Sequence, residues 1–350
     1  MKALVIRNPH HMQLEEMEAQ PLGPHDVRVR SKAVGICGTD LEIYEGQISS
    51  DFVKYPVIPG HEWSGIVVEC GTEVTSVRPG DRVIAEGLLS CGSCAYCREG
   101  RTNLCHQYDQ LGFTRPGGGA ELVIVPARAV HLIPAEVSYE AAVLIEPAAT
   151  VLRGITRTPI QPGMKAVIIG PGTLGLLTVQ LLKAFGVDSI CLIGRRNEQL
   201  ELGRTIGASH FVNSRIMDVH AAIQVWTEGQ GADLIVETSG SEEAVRLSME
   251  LARSGGHIVL TGVAGTGKKL VVESDYMMLR DLTVHGIFSY TTKSWHQALK
   301  LLEAHKLELE VLITHRFSID QYEEAFEALR NKTKPTVKIV MLHDGEELAP

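Results

Sequence analysis

The sequence predicts an α/β protein in two parts, a β-rich region and a parallel, doubly wound sheet, and three observations carry that prediction. The first 150 or so residues read as short apolar strands divided by Gly and Pro. From about Gln161 the texture changes to strand followed by helix, repeated. A glycine motif, Gly170-x-Gly172-x-x-Gly175, stands between the first of those strands and the helix that follows it. The 350 residues, 44% apolar, are enough to bury a large core and suit two domains better than one.

In chain order, the N-terminal strands are KALVI, DVRVRSKAV, SGIVVEC, DRVIA and AELVIVP, with turns such as Pro79-Gly80-Asp81 between them. The second region begins with Lys165 to Ile169 and the helix TLGLLTVQLLKAFG. It continues through SICLI, DLIVETSG and HIVLTGV. Strands alternating with helices point to parallel pairing. After about residue 285 come two helical stretches, SWHQALKLLEA and DQYEEAFEALR, then the strand TVKIVML; the polar tail His343 to Pro350 is expected to fray. The expected division is 1–150 with 286–350 against 151–285.

Composition excludes several roles. A net charge of -9 argues against a nucleic-acid partner, because phosphate backbones are bound by clustered Lys and Arg. No apolar run reaches the roughly 18 to 20 residues that a membrane-spanning helix needs. The chain opens MKALVIRNP, with no basic stretch before an apolar run, so neither a secretory signal nor disulfides are expected, and the expected compartment is the cytoplasm.

Cys91, Cys94, Cys97 and Cys105 follow the spacing Cys-x2-Cys-x2-Cys-x7-Cys, which predicts one tetrahedral zinc. Four thiolates close the site, so this zinc is structural, and the chemistry belongs elsewhere.

In AVIIGPGTLGLL the three glycines follow an apolar strand and open a helix, the context that makes the motif a dinucleotide site. Gly170 permits the turn, Gly172 lets the backbone approach a pyrophosphate, and Gly175 lets helix and strand pack. Thr173 and Leu174, at the mouth of the helix, are assigned to the cofactor with them. Leu174 also begins the helix's core residues, with Leu176, Leu177, Val179, Leu181 and Leu182. About 20 residues on, where a carboxylate would bind the ribose 2′-hydroxyl of NAD, SICLI ends in Gly194-Arg195-Arg196. Two guanidiniums suit a 2′-phosphate, so NADP is expected over NAD.

Cys37 in GICGTD, His61 and Glu62 in PGHEWSG, and Glu146 in LIEPAATV are read as loop positions. One thiolate, one imidazole and one or two carboxylates make the ligand set of a second zinc, one that keeps an open place.

GICGTD, GHEWSG, the four-cysteine lobe, VRPGDRV, LIEP and GPGTLG occur in the order seen in zinc-containing medium-chain dehydrogenases/reductases, which the sequence resembles over nearly its whole length. Glu62 and Glu146, the latter where alcohol dehydrogenases carry a cysteine, resemble the polyol (sorbitol, galactitol-phosphate, cyclitol) and threonine dehydrogenase branch. The resemblance implies a GroES-like catalytic domain and an inserted Rossmann domain. It implies a catalytic zinc on Cys37, His61 and Glu62, with Glu146 bound directly or through water, two zinc ions per chain in all, and a homotetramer or dimer. Thr39 is expected to pass the proton, Thr150 to touch the nicotinamide and Tyr44 to wall the pocket. Glu42 stands where many members carry a relay histidine.

The activity this implies is oxidation of a secondary hydroxyl of a polyol, cyclitol or sugar derivative to a ketone, or the reverse, with hydride exchanged at nicotinamide C4. NAD in place of NADP, a glucose-type aldose or L-threonine are the alternatives within that chemistry. A cofactor-binding sensor without turnover, or a zinc-ribbon interaction module, is the alternative outside it.

Overall fold

The computed structural model describes residues 1–263, 265, 268–331 and 334–343. Residues 344–350, most of the tail expected to fray, lie outside the described residues. His343, where that tail begins, is anchored: its Nε2 lies 2.7 Å from Gly118 O. The chain divides into two compact units, Met1–Glu146 with Leu309–Pro350, and Pro147–Glu308.

The first unit is built on a seven-stranded sheet whose central strand is Asp26–Ile36. Val27 and Val29 alternate with Arg28 and Arg30, putting one side of the strand into the core. This strand pairs antiparallel with Glu62–Cys70, Leu122–Pro126 and Lys338–Leu342. Gly35 faces Glu62 and Ile36 faces Ile339, so the residue after the central strand, Cys37, meets the first residues of two neighbours at one end of the sheet. A separate hairpin, Lys2–Asn8 with His11–Glu16, adds a strand that the sequence did not signal, because HMQLEE has no β-branched residue and only Met12 and Leu14 as apolar ones.

The second unit holds six parallel strands. In space they run His210–Asn213, Ser189–Gly194, Lys165–Ile169, Ala232–Glu237, Ala252–Leu260 and Thr283–Gly286. This order reverses at the first strand in sequence, Lys165–Ile169, and is that of the dinucleotide-binding doubly wound sheet. Ala166, Val167, Ile168 and Leu176, Leu177, Val179, Leu181 and Leu182 of the following helix, Thr173–Ala184, are all fully buried. That burial stabilises the unit by about 25 cal/mol per Å² of apolar surface removed from water.

The return to the first unit comes at Leu309, later than the expected 286. The helix Thr292–Glu303 is grouped with the parallel sheet, and Gln180 holds the chain beyond it by exchanging two hydrogen bonds with the backbone of Glu308 (3.0 and 2.6 Å). The earlier boundary falls at Glu146, inside the helix Ile145–Ile155, four residues before the expected 150.

Candidate metal centres and dinucleotide site

Two groups of metal-ligating side chains stand out among the described residues. In the first, the sulfurs of Cys91, Cys94, Cys97 and Cys105 all lie within 4.8 Å of one another. Cys91 and Cys97 are 3.9 Å apart and Cys94 and Cys97 3.5 Å, against about 3.8 Å for two thiolates on one tetrahedral zinc with bonds of about 2.3 Å. Hydrogen bonds from the Ser93 hydroxyl and from the Ser93 and Cys94 amides bring the Cys91 thiol down to about 5, while burial and then the Cys94 thiol push Cys97 up to about 11. Four thiols this close cannot all ionise without a cation among them, so the donor set fits zinc and leaves no open place.

The second group is Cys37, His61 and Glu62, again with ligand atoms mutually within 4.8 Å. Cys37 caps the helix Gly38–Tyr44 in an extended conformation, and Asp40, at the third helical position, accepts the Cys37 N–H at 3.0 Å. Asp40 is fully buried and its Oδ1 lies 3.5 Å from His61 Nδ1. The other ring nitrogen, Nε2, lies 3.4 Å from Cys37 Sγ. The imidazole thus turns Nε2 toward the Cys37 sulfur and Nδ1 toward a carboxylate, the arrangement by which a carboxylate orients a metal-binding histidine. Burial opposes charge on His61, but Cys37 and Asp40 outweigh it and hold the imidazole well above 6.5. Burial would likewise raise Asp40, yet His61 and the Cys37 amide bring it below the usual carboxylate range.

Glu62 opens the strand Glu62–Cys70 and pairs its Oε2 with Lys338 Nζ, from the start of Lys338–Leu342. Both are buried, Lys338 at 1% exposure. Although burial disfavours its charge, Glu62 and then Cys37 hold the Lys338 ammonium above its ordinary value. The contact needs Gly35: a Cβ there would stand 2.6 Å from Glu62 Oε2 and 2.7 Å from Lys338 Cε. His61 Nδ1 and Glu62 Oε2 are buried without a hydrogen bond, the first 3.5 Å from Asp40 Oδ1 and the second ion-paired with Lys338. A thiol, an imidazole and a carboxylate at these separations fit a zinc with a place left open.

Glu146 falls outside that three-residue group. It lies in the helix Ile145–Ile155, not in a loop: Pro147 is its third residue, where a missing N–H costs nothing. Burial pushes its carboxyl up to about 7; His61 and Lys338 oppose the shift, and Glu62 and Asp40 reinforce it, so it shares their electrostatic surroundings. Glu62 also departs from the loop assignment, being the first residue of a strand; Cys37, which caps a helix from outside it, and His61 lie between elements, as expected.

Thr39 is half-buried in the first turn of the helix that Cys37 caps. Glu42 sits in the second turn of that helix; burial and the charge of Glu45 raise its carboxyl, and it is not part of the three-residue group. Tyr44 packs edge-on against Phe326 at 6.0 Å and lies under Arg330, which makes it a packing residue of the helix's outer face. Phe113 instead lies 5.3 Å from the His61 ring, and Tyr108, three residues past Cys105, has its phenol pushed up by burial with His61 opposing. Sequence reasoning missed Asp40, Phe113, Tyr108 and Lys338. Only Asp40 left a local signal, an acid three residues past a helix-capping Cys.

In the second unit Gly170 has φ +105°, and a Cβ on Gly175 would stand 1.8 Å from Gly170 O. No side chain fits either place without rebuilding the turn. Gly172 caps the helix that starts at Thr173, with Thr173 and Leu174 half-buried at its mouth. Gly194, Arg195 and Arg196 end Ser189–Gly194 and cap the next helix, Asn197–Thr205. Arg195 is exposed, 3.8 Å from Glu243. A further guanidinium, Arg215, follows the neighbouring strand, where Ser214 N donates to Gly194 O at 2.8 Å. Thr150 lies in the helix Ile145–Ile155, half-buried, four residues past Glu146.

Residues 23–135 match the family model of the alcohol dehydrogenase GroES-like domain, and residues 173–304 that of zinc-binding dehydrogenases. Sorbitol dehydrogenase of Halalkalibacterium halodurans is 32% identical over 97% of this chain and 99% of its own. L-threonine 3-dehydrogenase of Pyrococcus horikoshii is 33% identical over 94% of this chain and 95% of its own. A solved structure from Sinorhizobium meliloti, assigned as a zinc-binding dehydrogenase and bound to NADP, matches with a TM-score of 0.91 at 31% identity, over 97% of this chain and 98% of that one. With both family models in chain order and relatives matching end to end, the chain belongs to the zinc-binding alcohol dehydrogenases, the medium-chain dehydrogenases/reductases that its motifs resemble.

Proposed function

We propose that the protein is a zinc-dependent, NADP-preferring dehydrogenase that oxidises a secondary hydroxyl of a polyol, cyclitol or sugar derivative to a ketone, or runs the reverse reaction. The observation that carries this reading is the Cys37–His61–Glu62 group with Asp40 behind the imidazole. Sorbitol dehydrogenase among the relatives supports the polyol, and the NADP of the Sinorhizobium meliloti structure supports the cofactor. Cys37, His61 and Glu62 would hold the catalytic zinc, with Glu146 as the alternate carboxylate, and Cys91, Cys94, Cys97 and Cys105 the structural one. When bound, the catalytic zinc supplies Lewis acidity that lowers the pKa of the substrate hydroxyl. Thr39 would carry the released proton, Phe113 and Tyr108 would exclude water, Gly170 to Gly175 would seat the pyrophosphate, and Thr150 would face the nicotinamide. Gly194 leaves the 2′ position to Arg195 and Arg196.

Steady-state kinetics on sugar alcohols, inositols, aldoses and L-threonine with each cofactor test this. The expected result is a polyol as best substrate and a higher kcat/KM with NADP. Replacing Arg196 by Ala should raise KM for NADP about tenfold, the worth of one charge-assisted hydrogen bond, and leave that for NAD in place. A higher kcat/KM with wild-type enzyme on NAD would refute the cofactor assignment. L-threonine is the second reading, favoured by the Pyrococcus horikoshii relative; turnover on it above every polyol would establish it. Chelation of the accessible metal should abolish turnover while far-UV circular dichroism persists, and added zinc should restore it; turnover that survives chelation would remove the metal from the mechanism.

The same reading places the protein in the cytoplasm as a homo-oligomer, dimer or tetramer. Supporting it, no helix among the described residues is long and apolar enough to cross a membrane. The edge strand Thr283–Gly286 has no outer partner among the described residues and stands near exposed Met278 and Leu279, 69% and 77% accessible.

A further inference from the structure

We propose that Pro171 is a specificity-determining residue for the dinucleotide: its ring occupies the space that a ribose-binding carboxylate at position 194 would need. The preference is then set by the Pro171–Gly194 pair and not by Arg195 and Arg196 alone. This rests on the NADP reading above.

The geometry is local to the parallel sheet. Gly194 is the buried last residue of the strand Ser189–Gly194, at the place where NAD-binding sheets of this kind carry Asp or Glu. A Cβ at Gly194 would stand 2.5 Å from Pro171 Cγ, 2.9 Å from Pro171 Cδ and 3.1 Å from Leu200 Cδ2. Carbon atoms in favourable contact are about 3.5–4.0 Å apart. Leu200 can answer by turning its side chain. Pro171 cannot, because its ring is fused to the backbone and fixes φ.

Neither side has room to retreat. Pro171 is buried between Gly170, at φ +105°, and Gly172, which caps the helix Thr173–Ala184. Gly170 N is hydrogen-bonded to Ile193 O at 3.0 Å, tying the turn to the strand it would have to leave. On the other side Gly194 O accepts Ser214 N at 2.8 Å and Ser214 Oγ at 3.3 Å. A side chain at 194 therefore displaces the glycine turn itself, the part of the fold that seats the pyrophosphate. An acid introduced there damages the shared portion of the site before it can recognise a 2′-hydroxyl. Alanine at 171 keeps a Cβ but removes Cγ and Cδ, the two atoms in the way.

A double-mutant cycle over wild type, Pro171→Ala, Gly194→Asp and the double variant tests the coupling. Thermal melting of the cofactor-free proteins would be followed by calorimetric titration with 2′,5′-ADP and with 5′-AMP. Gly194→Asp alone should melt several degrees below wild type and bind 5′-AMP no better. The double variant should regain most of the lost melting temperature and bind 5′-AMP at least about tenfold tighter than Gly194→Asp, the worth of a carboxylate hydrogen bond to the ribose. Additive behaviour, with Gly194→Asp alone stable and gaining as much 5′-AMP affinity as the double variant, would overturn the proposal. Should Gly194→Asp fail to fold, Gly194→Ala carries the clashing Cβ without the charge: rescue of its melting temperature by Pro171→Ala supports the clash, and no rescue overturns it. Wild type binding 5′-AMP as tightly as 2′,5′-ADP would instead overturn the NADP reading, and with it the specificity role, while the melting cycle would still test the packing.

Discussion

Replacing His61 by Ala should lower kcat/KM for the best polyol by about 10³-fold or more and leave calorimetric binding of 2′,5′-ADP unchanged. His61 would supply the one nitrogen to the candidate zinc and its ring lies 3.4 Å from Cys37 Sγ, so its loss would remove a ligand from a three-residue set. Lewis-acid activation is worth several kcal/mol, and each 1.4 kcal/mol is about a factor of ten in rate. Asp40→Asn offers a graded companion. It keeps shape but loses the charge that Nδ1 faces at 3.5 Å, and it disturbs the carboxylate bonds to the Cys37 and Gly60 amides. Substitution of such a supporting carboxylate costs about 10- to 100-fold in metal affinity or activity. Zinc content, measured by atomic absorption, should fall with the activity in both variants. A His61→Ala protein that turns over polyol at the wild-type rate would place the chemistry elsewhere.

These two residues differ in how far the sequence revealed them, and the difference is physical. The glycine turn and the cysteine lobe are local: Gly170 to Gly175 and Cys91 to Cys105 each close within one short stretch, so spacing alone declares the chemistry. Four of the six strands of the parallel sheet are legible because they are apolar runs, Lys165–Ile169 with its helix close behind it; His210–Asn213 and Thr283–Gly286, HFVN and TVHG, are too short and too polar to be read from the sequence. The surroundings of the second metal group are assembled by strand pairing between distant segments. Lys338 reaches Glu62 because Lys338–Leu342 and Glu62–Cys70 flank Asp26–Ile36 on its two sides. In the sequence it is one lysine in TVKIVML, with nothing to distinguish it from a solvated charge. Glu146 reads as a loop residue for a different reason: Pro147 beside it looks like a helix breaker unless the helix is known to begin just before it. The unit to which the helix Thr292–Glu303 belongs is not legible in the sequence, because an amphipathic pattern tells that a face is buried and not what buries it.

Lys338→Met should destabilise the metal-depleted protein by about 3–5 kcal/mol, the cost of leaving one member of a buried ion pair without the other. Lys338 is 1% exposed and Glu62 3%, and Gly35 leaves them just enough room to meet. With the lysine gone, Glu62 shares its surroundings with Asp40 and Glu146, and the remaining cation there is His61. Zinc would supply the missing positive charge, so the loss should be smaller in the metal-loaded protein, and the folding of Lys338→Met should depend on zinc more steeply than that of wild type. The double variant Glu62→Gln with Lys338→Met, which removes both charges, should recover most of the stability lost by Lys338→Met alone. Urea unfolding of the four proteins, with chelator and with zinc, measures each of these differences. Equal midpoints for wild type and Lys338→Met in chelator would mean that the lysine does not hold the ligand set together. A lysine that does so would give the metal-free ligand set the positive charge that zinc would bring to the loaded one, which is why the two should substitute for each other in stability.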